Sequence, residues 1–309
     1  MTRPLVWLPF DADELSLGEG QGPPAGLRYE VVDPSRHVPG SVAEVEVYVT
    51  PYVWDVGAVE VLAEMSSLRL VQTLTAGVEH IRSHVPEGVL LCNGRGIHDT
   101  SAAELAVTLV LSSLRGVPDI VRRQDRREWH HEWRPALADK RVLIVGHGAI
   151  GEAIERRLLP FETEVVRVAR TAHPGVHAVA ELPRLLPEAD VVVLVVPLTD
   201  ETRGLVDAGF LARMKDGALL VNIARGAVVV EADLVAALES GRITAAVDVT
   251  DPEPLPEDSP LWTAPGVLIS PHVGGASSAM WPRAYRLVRD QLHRYAAGEE
   301  PVNVMTGFY

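Results

Sequence analysis

The sequence predicts an α/β protein of two doubly wound parallel-sheet domains, and three observations carry that prediction. Short apolar runs rich in β-branched residues alternate with stretches of helical spacing along most of the chain. That is the pattern of strands buried on both faces and of the helices that cross between them. The chain has 309 residues, roughly two domains' worth, each able to bury a core of its own. Residues 140–151, KRVLIVGHGAIG, run from strand through glycine turn to helix, the context in which a G-x-G-x-x-G motif binds a dinucleotide.

Taken in order, PLVWLPF, LRYEVVD, VEVYVTPYV, LRLVQTLTA and GVLLCNG are predicted strands, each apolar and bounded by Gly, Pro, Asp or Asn. Residues 56–65 have helical spacing. This first layer lacks a glycine fingerprint, which suits it to supplying substrate groups. After a break at NGRGIHDT a helix is expected from Thr100 or Ser101. Ser101 and Glu104 have capping-box spacing, and the apolar run AELAVTLVLSSL follows. Residues 116–139 are polar and rich in Arg, Trp and His, an exposed helix or arm. Trp129, Trp133 and Leu137 make it either a solvated face or a contact with a partner subunit.

From Lys140 the second unit predicts strands at 141–145, 164–168, 190–195, 218–223, 244–248 and 267–270. Helices lie between most of them, including 152–159, 206–213 and 231–239, so the connections are right-handed parallel crossovers. Ser277 to Ala297 is a long final helix stopped by Gly298 that returns to the first domain. The expected division is 1–98 with 276–309 as a substrate-binding domain and 99–275 as a nucleotide-binding domain.

In the fingerprint, Gly146 permits the tight turn, Gly148 lets backbone approach a pyrophosphate, and Gly151 lets helix and strand pack closely. The phosphates would sit at the helix N-terminus. An acid some 20 residues on would hold the ribose 2′-OH of NAD. Here that position is Ala169, followed by Arg170. Nothing there repels a 2′-phosphate, and a guanidinium can pair with one. NADP(H) is therefore expected over NAD(H), which stays possible if Arg170 is only a solvated surface cation.

Bulk properties narrow the function. A formal charge of −14 leaves no basic stripe for nucleic acid. The N-terminus turns acidic too early for a signal peptide, and the longest apolar runs are too short to cross a bilayer. The single cysteine, Cys92, allows no intramolecular disulfide, fits a reducing compartment and reads as a small buried hydrophobe. A cytoplasmic protein is expected. No HExxH or CxxC is present, and no metal is expected.

Three polar residues fall at or after the C-terminal ends of predicted strands, the edge where open α/β sheets bind ligands. They are Arg225 after LLVNIA, Glu253 after AAVDVTDP, and His272 after VLIS. Singly they read as a surface ion pair, a turn residue and a loop histidine. Together they offer a carboxylate binder, an acid/base and a group to tune it.

Over nearly its whole length the chain resembles the D-isomer-specific 2-hydroxyacid dehydrogenases. The matching stretches are TLTAGVEHI, SAAELAVTLVLSSLR, VGHGAIG, VVVLVVPLTDETRGLVD, MKDGALLVNIARGAVVVEADLVAALESGRITAAVDVTDPEPLP and SPHVGG. The resemblance implies two Rossmann-like domains with the active site in the cleft between them. It also implies a homodimer formed through the nucleotide domain and the 116–139 arm. It implies that Arg225 holds the carboxylate of a 2-oxo acid and polarises its carbonyl. His272 would exchange the proton with the carbonyl oxygen, and Glu253 would pair with the imidazole, fix its tautomer and favour its protonated form. Backbone N–H groups at Ala76, Gly77 and Val78 would bind the carboxylate too. Ala149, Ile150, Pro197, Thr202, Ile223, Ala224 and Gly274 would join the fingerprint glycines at the cofactor, and Asp248 would meet the nicotinamide carboxamide. The missing acid at Ala169 resembles the glyoxylate/hydroxypyruvate reductase branch. A phosphite-oxidising relative and a non-enzymatic, dinucleotide-sensing corepressor are the alternative readings.

Overall fold

The computed structural model describes residues 3–16, 22–52 and 56–306. The chain divides into two compact units, residues 1–98 with 278–309 and residues 99–277. Each is built on one parallel sheet.

The first unit has β1 (Leu5–Leu8), β2 (Arg28–Val31), β3 (Val45–Val49), β4 (Leu70–Gln72) and β5 (Leu90–Cys92), in the order β2-β1-β3-β4-β5. Period-two alternation sorts β1 between two cores. Val6 and Leu8 pack on one face of the sheet, Leu5 and Trp7 on the other. The short helix α1 (Val56–Glu60) continues as a 3-10 turn through Glu64, and its Val59 and Leu62 join the core of Leu5 and Trp7. Met280, Ala284, Val288 and Leu292 of the last long helix pack with Val6 and Leu8, a stripe at every fourth residue that gives that helix its buried face. Gly298 closes it in the left-handed conformation. Cys92 is buried here, and burial pushes its thiol up to about 11 despite the opposing Gln291 hydrogen bond. It is therefore protonated at neutral pH and inert as a nucleophile.

The second unit opens with α2 (Asp99–Leu114) and α3 (Val117–Asp125). Its strands are β6 (Arg141–Val145), β7 (Glu164–Ala169), β8 (His177–Ala178), β9 (Val191–Leu194), β10 (Leu219–Asn222), β11 (Thr244–Val247) and β12 (Val267–Ile269). They form one sheet in the order β12-β11-β10-β9-β6-β7-β8. Helices α4 (Ala149–Leu158), α5 (Leu182–Leu185), α6 (Ala208–Arg213) and α7 (Glu231–Glu239) join them, and α8 (Met280–Ala297) belongs to the first unit. Apolar residues of α2 and α4 cover one face, of α6 and α7 the other. Strand order reverses between β6 and β9, and such a switch point opens a crevice at the C-terminal edge.

Three expectations are corrected. Helix α2 starts at Asp99, so Ser101 is not its cap. Its hydroxyl is buried within the first turn against that of Ser277, 2.6 Å away. The two-residue strand β8 pairs with β7 and was too short to show a period. In the 116–139 segment only α3 is helical, and Leu137 is a core residue packed with Val142 and Ile144. Trp129 and Trp133 are exposed, at 101% and 90%.

Candidate active site

The site is built on the C-terminal edge of the seven-stranded sheet. Strand β6 ends in Gly146, at φ +106°, where a Cβ would sit 2.6 Å from the Val195 carbonyl oxygen. Only glycine tolerates both. A Cβ on Gly151 would overlap the Gly146 carbonyl oxygen, so α4 lies directly on the turn. Gly148 differs, with nothing within 4 Å of its missing Cβ. It precedes α4, whose first turn holds Ala149, Ile150 and Gly151 and which no side chain caps. Open approach and an uncapped helix start fit a pyrophosphate. Strand β7 ends at Ala169, and Arg170 beyond it is exposed.

After β9 the chain makes a compact turn. The Thr202 hydroxyl donates to the Pro197 carbonyl at 2.6 Å and accepts from the Thr199 N–H at 2.8 Å. After β10, Asn222 folds the next turn. It is 1% exposed, accepts from the Ala224 N–H at 3.0 Å, and donates to the Arg225 carbonyl at 3.0 Å. Ile223 and Ala224 are thereby fixed and Arg225 is presented in extended backbone. A Cβ at Gly226 would overlap the Thr250 carbonyl oxygen, so the Arg225 turn is pressed against the loop that carries Glu253.

That loop contains two cis peptides, Asp251–Pro252 and Glu253–Pro254. One Glu253 carboxylate oxygen accepts from the Thr250 N–H at 3.1 Å, and the other lies 2.7 Å from His272 Nδ1. A carboxylate only accepts, so Nδ1 carries the proton, and Nε2 is the ring nitrogen that Glu253 does not engage. His272 sits at φ +53°, uncommon for a residue with a Cβ. Its N–H donates to the Asp248 carbonyl at 2.7 Å, which holds it there.

Asp248 has a structural role that the sequence did not suggest. It is 2% exposed, and its carboxylate accepts from the Ser270 hydroxyl (2.5 Å), the Val273 N–H (2.9 Å) and the Gly274 N–H (2.8 Å). It anchors the loop that carries His272. Gly274 is the close-packed end of that anchor, its missing Cβ 3.0 Å from the Asp248 carboxylate.

In the first unit the Ala76, Gly77 and Val78 loop is itself held from behind. The Ala76 carbonyl accepts from Asn93 Nδ2 at 2.8 Å, and the Gly77 carbonyl accepts from the Thr75 hydroxyl at 2.7 Å. Trp281 stacks on Tyr285 at 5.5 Å and meets Phe10 edge-on. Trp54 lies outside the described residues.

Asn222, Ser270 and the trio His147, Glu155 and Arg167 were not anticipated. Asn222 had a signal, a lone amide closing the apolar run LLVN. The others show only in three dimensions. Among the described residues, no three metal-ligating side chains gather where they could hold an ion. None of the described helices is long and apolar enough to cross a membrane.

The family model for the D-isomer specific 2-hydroxyacid dehydrogenase, NAD binding domain, matches residues 107–274. The chain belongs to this family and is an NAD(P)-dependent oxidoreductase. It is 37% identical over 227 residues, 69% of each chain, to the glyoxylate reductase/hydroxypyruvate reductase of Mus musculus. A family protein from Aeromonas salmonicida superposes with a TM-score of 0.86 at 28% identity, covering 98% of this chain and 99% of the other. A second, from Xanthobacter autotrophicus in complex with NADPH and MES, gives 0.82 at 31% identity over 99% and 98%.

Proposed function

We propose that this protein is an NADPH-preferring reductase of small 2-oxo acids, glyoxylate and hydroxypyruvate foremost, giving the 2-hydroxy acid, in its D form where that product is chiral. The observation that carries the reading is the 2.7 Å contact between His272 and Glu253, on the same sheet edge as Arg225. Arg225 binds the substrate carboxylate, a task its planar fork suits better than a lysine would. His272 gives its proton to the carbonyl oxygen during reduction and takes it back in oxidation. Glu253 keeps the ring in one tautomer and orientation. A bound reduced nicotinamide supplies the hydride. Gly146, Gly148 and Gly151, with the start of α4, hold its pyrophosphate. The Ala76–Val78 loop is the first unit's candidate for further N–H donors to the anionic substrate.

The substrate class is supported by the mouse relative's name. The cofactor preference is supported by Arg170 following Ala169 and by the NADPH bound to the Xanthobacter protein. The exposed tryptophans Trp129 and Trp133, with the half-exposed Ile120 and Val121 on α3, suit a homodimer contact. The single cysteine suits the cytoplasm. Comparing kcat/KM with NADPH and NADH tests the cofactor, and chiral analysis of the glycerate formed from hydroxypyruvate tests the hand. A clear preference for NADH, or an L product, overturns the corresponding assignment.

A further inference from the structure

One charged cluster lies outside the catalytic group. His147 stands between the first two fingerprint glycines, and its side chain is only 11% exposed. Its Nε2 lies 2.7 Å from Glu155 Oε2, on the second turn of α4. Arg167 of β7 reaches the same carboxylate from the sheet. Its Nε lies 2.9 Å from both oxygens, and its Nη2 pairs with Oε1. The Arg167 guanidinium, with His147 adding to it, holds the Glu155 carboxyl below the ordinary range against the opposing cost of burial. It is ionised at neutral pH and can only accept, so His147 Nε2 donates.

A carboxylate this enclosed is costly to desolvate, and such pairs are a weak source of stability. What the cluster does have is position. Gly146 already donates its N–H to the carbonyl of Val168, the residue after Arg167, at 2.8 Å. The phosphate turn is thus fastened to β7 twice, once through backbone and once through His147, Glu155 and Arg167. Two residues past Arg167, β7 ends at Ala169 and Arg170, where a dinucleotide's ribose is read.

We infer that His147, Glu155 and Arg167 are positioning residues that lock the pyrophosphate turn to the ribose-reading end of β7, so that both halves of the adenosine diphosphate are met by one preformed surface. The inference rests on the dehydrogenase reading. The relay touches neither substrate nor nicotinamide. Cutting it leaves the glycine turn free to shift against β7, and the cost falls on binding of the adenosine diphosphate moiety.

The test measures Kd for NADPH and for ADP-ribose by titration calorimetry on the whole protein. It compares wild type with Glu155→Gln, His147→Ala, His147→Gln and Arg167→Lys, with Tm recorded for each. Glu155→Gln and His147→Ala should weaken both probes about tenfold, the scale of one lost charge-assisted hydrogen bond. His147→Gln, which keeps a donor, should recover most of that loss. In turnover the rise should fall on the KM for NADPH more than on kcat. If Glu155→Gln does not fold, the two His147 variants and Arg167→Lys, which loses the fork, give the same comparison. Folded variants that bind both probes as wild type does would overturn the inference while leaving the dehydrogenase reading intact. A wild type that binds neither probe would remove both.

Discussion

In the proposed reaction His272 is the proton donor, and its surroundings suit it to that role. Its backbone is held at φ +53° by the Asp248 carbonyl and its ring by Glu253. Replacing it with Ala should lower kcat by about 10² to 10⁴, the usual worth of a general acid, with the fold intact by circular dichroism. A near-wild-type rate would remove it from that role. Arg225→Lys keeps the charge and loses the bidentate fork, so the KM for the 2-oxo acid should rise at least about tenfold, measured by initial rates at saturating NADPH. Asp248→Asn leaves an amide whose NH₂ opposes one of the N–H and hydroxyl donors it now receives. The loop carrying His272 should loosen, and kcat should fall. Arg225, Glu253 and His272 were legible as lone polar residues closing apolar runs, whereas Asp248 could be located but not given its job. Nothing in a linear pattern shows that an aspartate after β11 accepts three donors from the loop after β12.

At the scale of elements, close packing of turns decides what the sheet edge can present. Gly226→Ala drives a Cβ into the Thr250 carbonyl. Backbone cannot yield as a side-chain tip does, so a loss of about 1–3 kcal/mol is expected, read in urea unfolding, with activity lost alongside. The relay on α4 carries a pH signature. Glu155 has its carboxyl held below the ordinary value. Its stabilisation is therefore full above that value, about 4.3, and is lost as pH falls through the lower folded one. The Tm gap between wild type and Glu155→Gln should hold from neutral pH down to the ordinary carboxylate value and narrow as pH falls below it through the lower folded value. The strands of both sheets were legible because each is a short apolar run stopped by a turn residue. Strand β8, with two residues, had no period to read. The start of α2 misled because Ser101-x-x-Glu104 imitates a capping box, while the serine is in fact spent on Ser277.

At the scale of the molecule, two parallel-sheet units separate the tasks, with the fingerprint, Arg225, Glu253 and His272 all on the second. The interleaved chain was legible because the last helix lies beyond the nucleotide unit, and its apolar stripe packs in the first unit's core. The 116–139 arm was legible only in part. Its tryptophans are exposed, but Leu137, of the same apolar class, is core, and hydrophobicity alone could not separate them. If the proposed dimer forms through this arm, replacing Trp129 and Trp133 with Ser should shift it toward monomer in sedimentation velocity. An unchanged dimer would place the contact elsewhere. The most direct test of the whole account is the loss of reduced-nicotinamide absorbance when the purified protein meets NADPH with glyoxylate or hydroxypyruvate. Steady turnover on at least one of the two, cut by about 10² to 10⁴ in His272→Ala, is the predicted result. Binding of NADPH without turnover on either acid would contradict the assignment of a 2-oxo acid reductase.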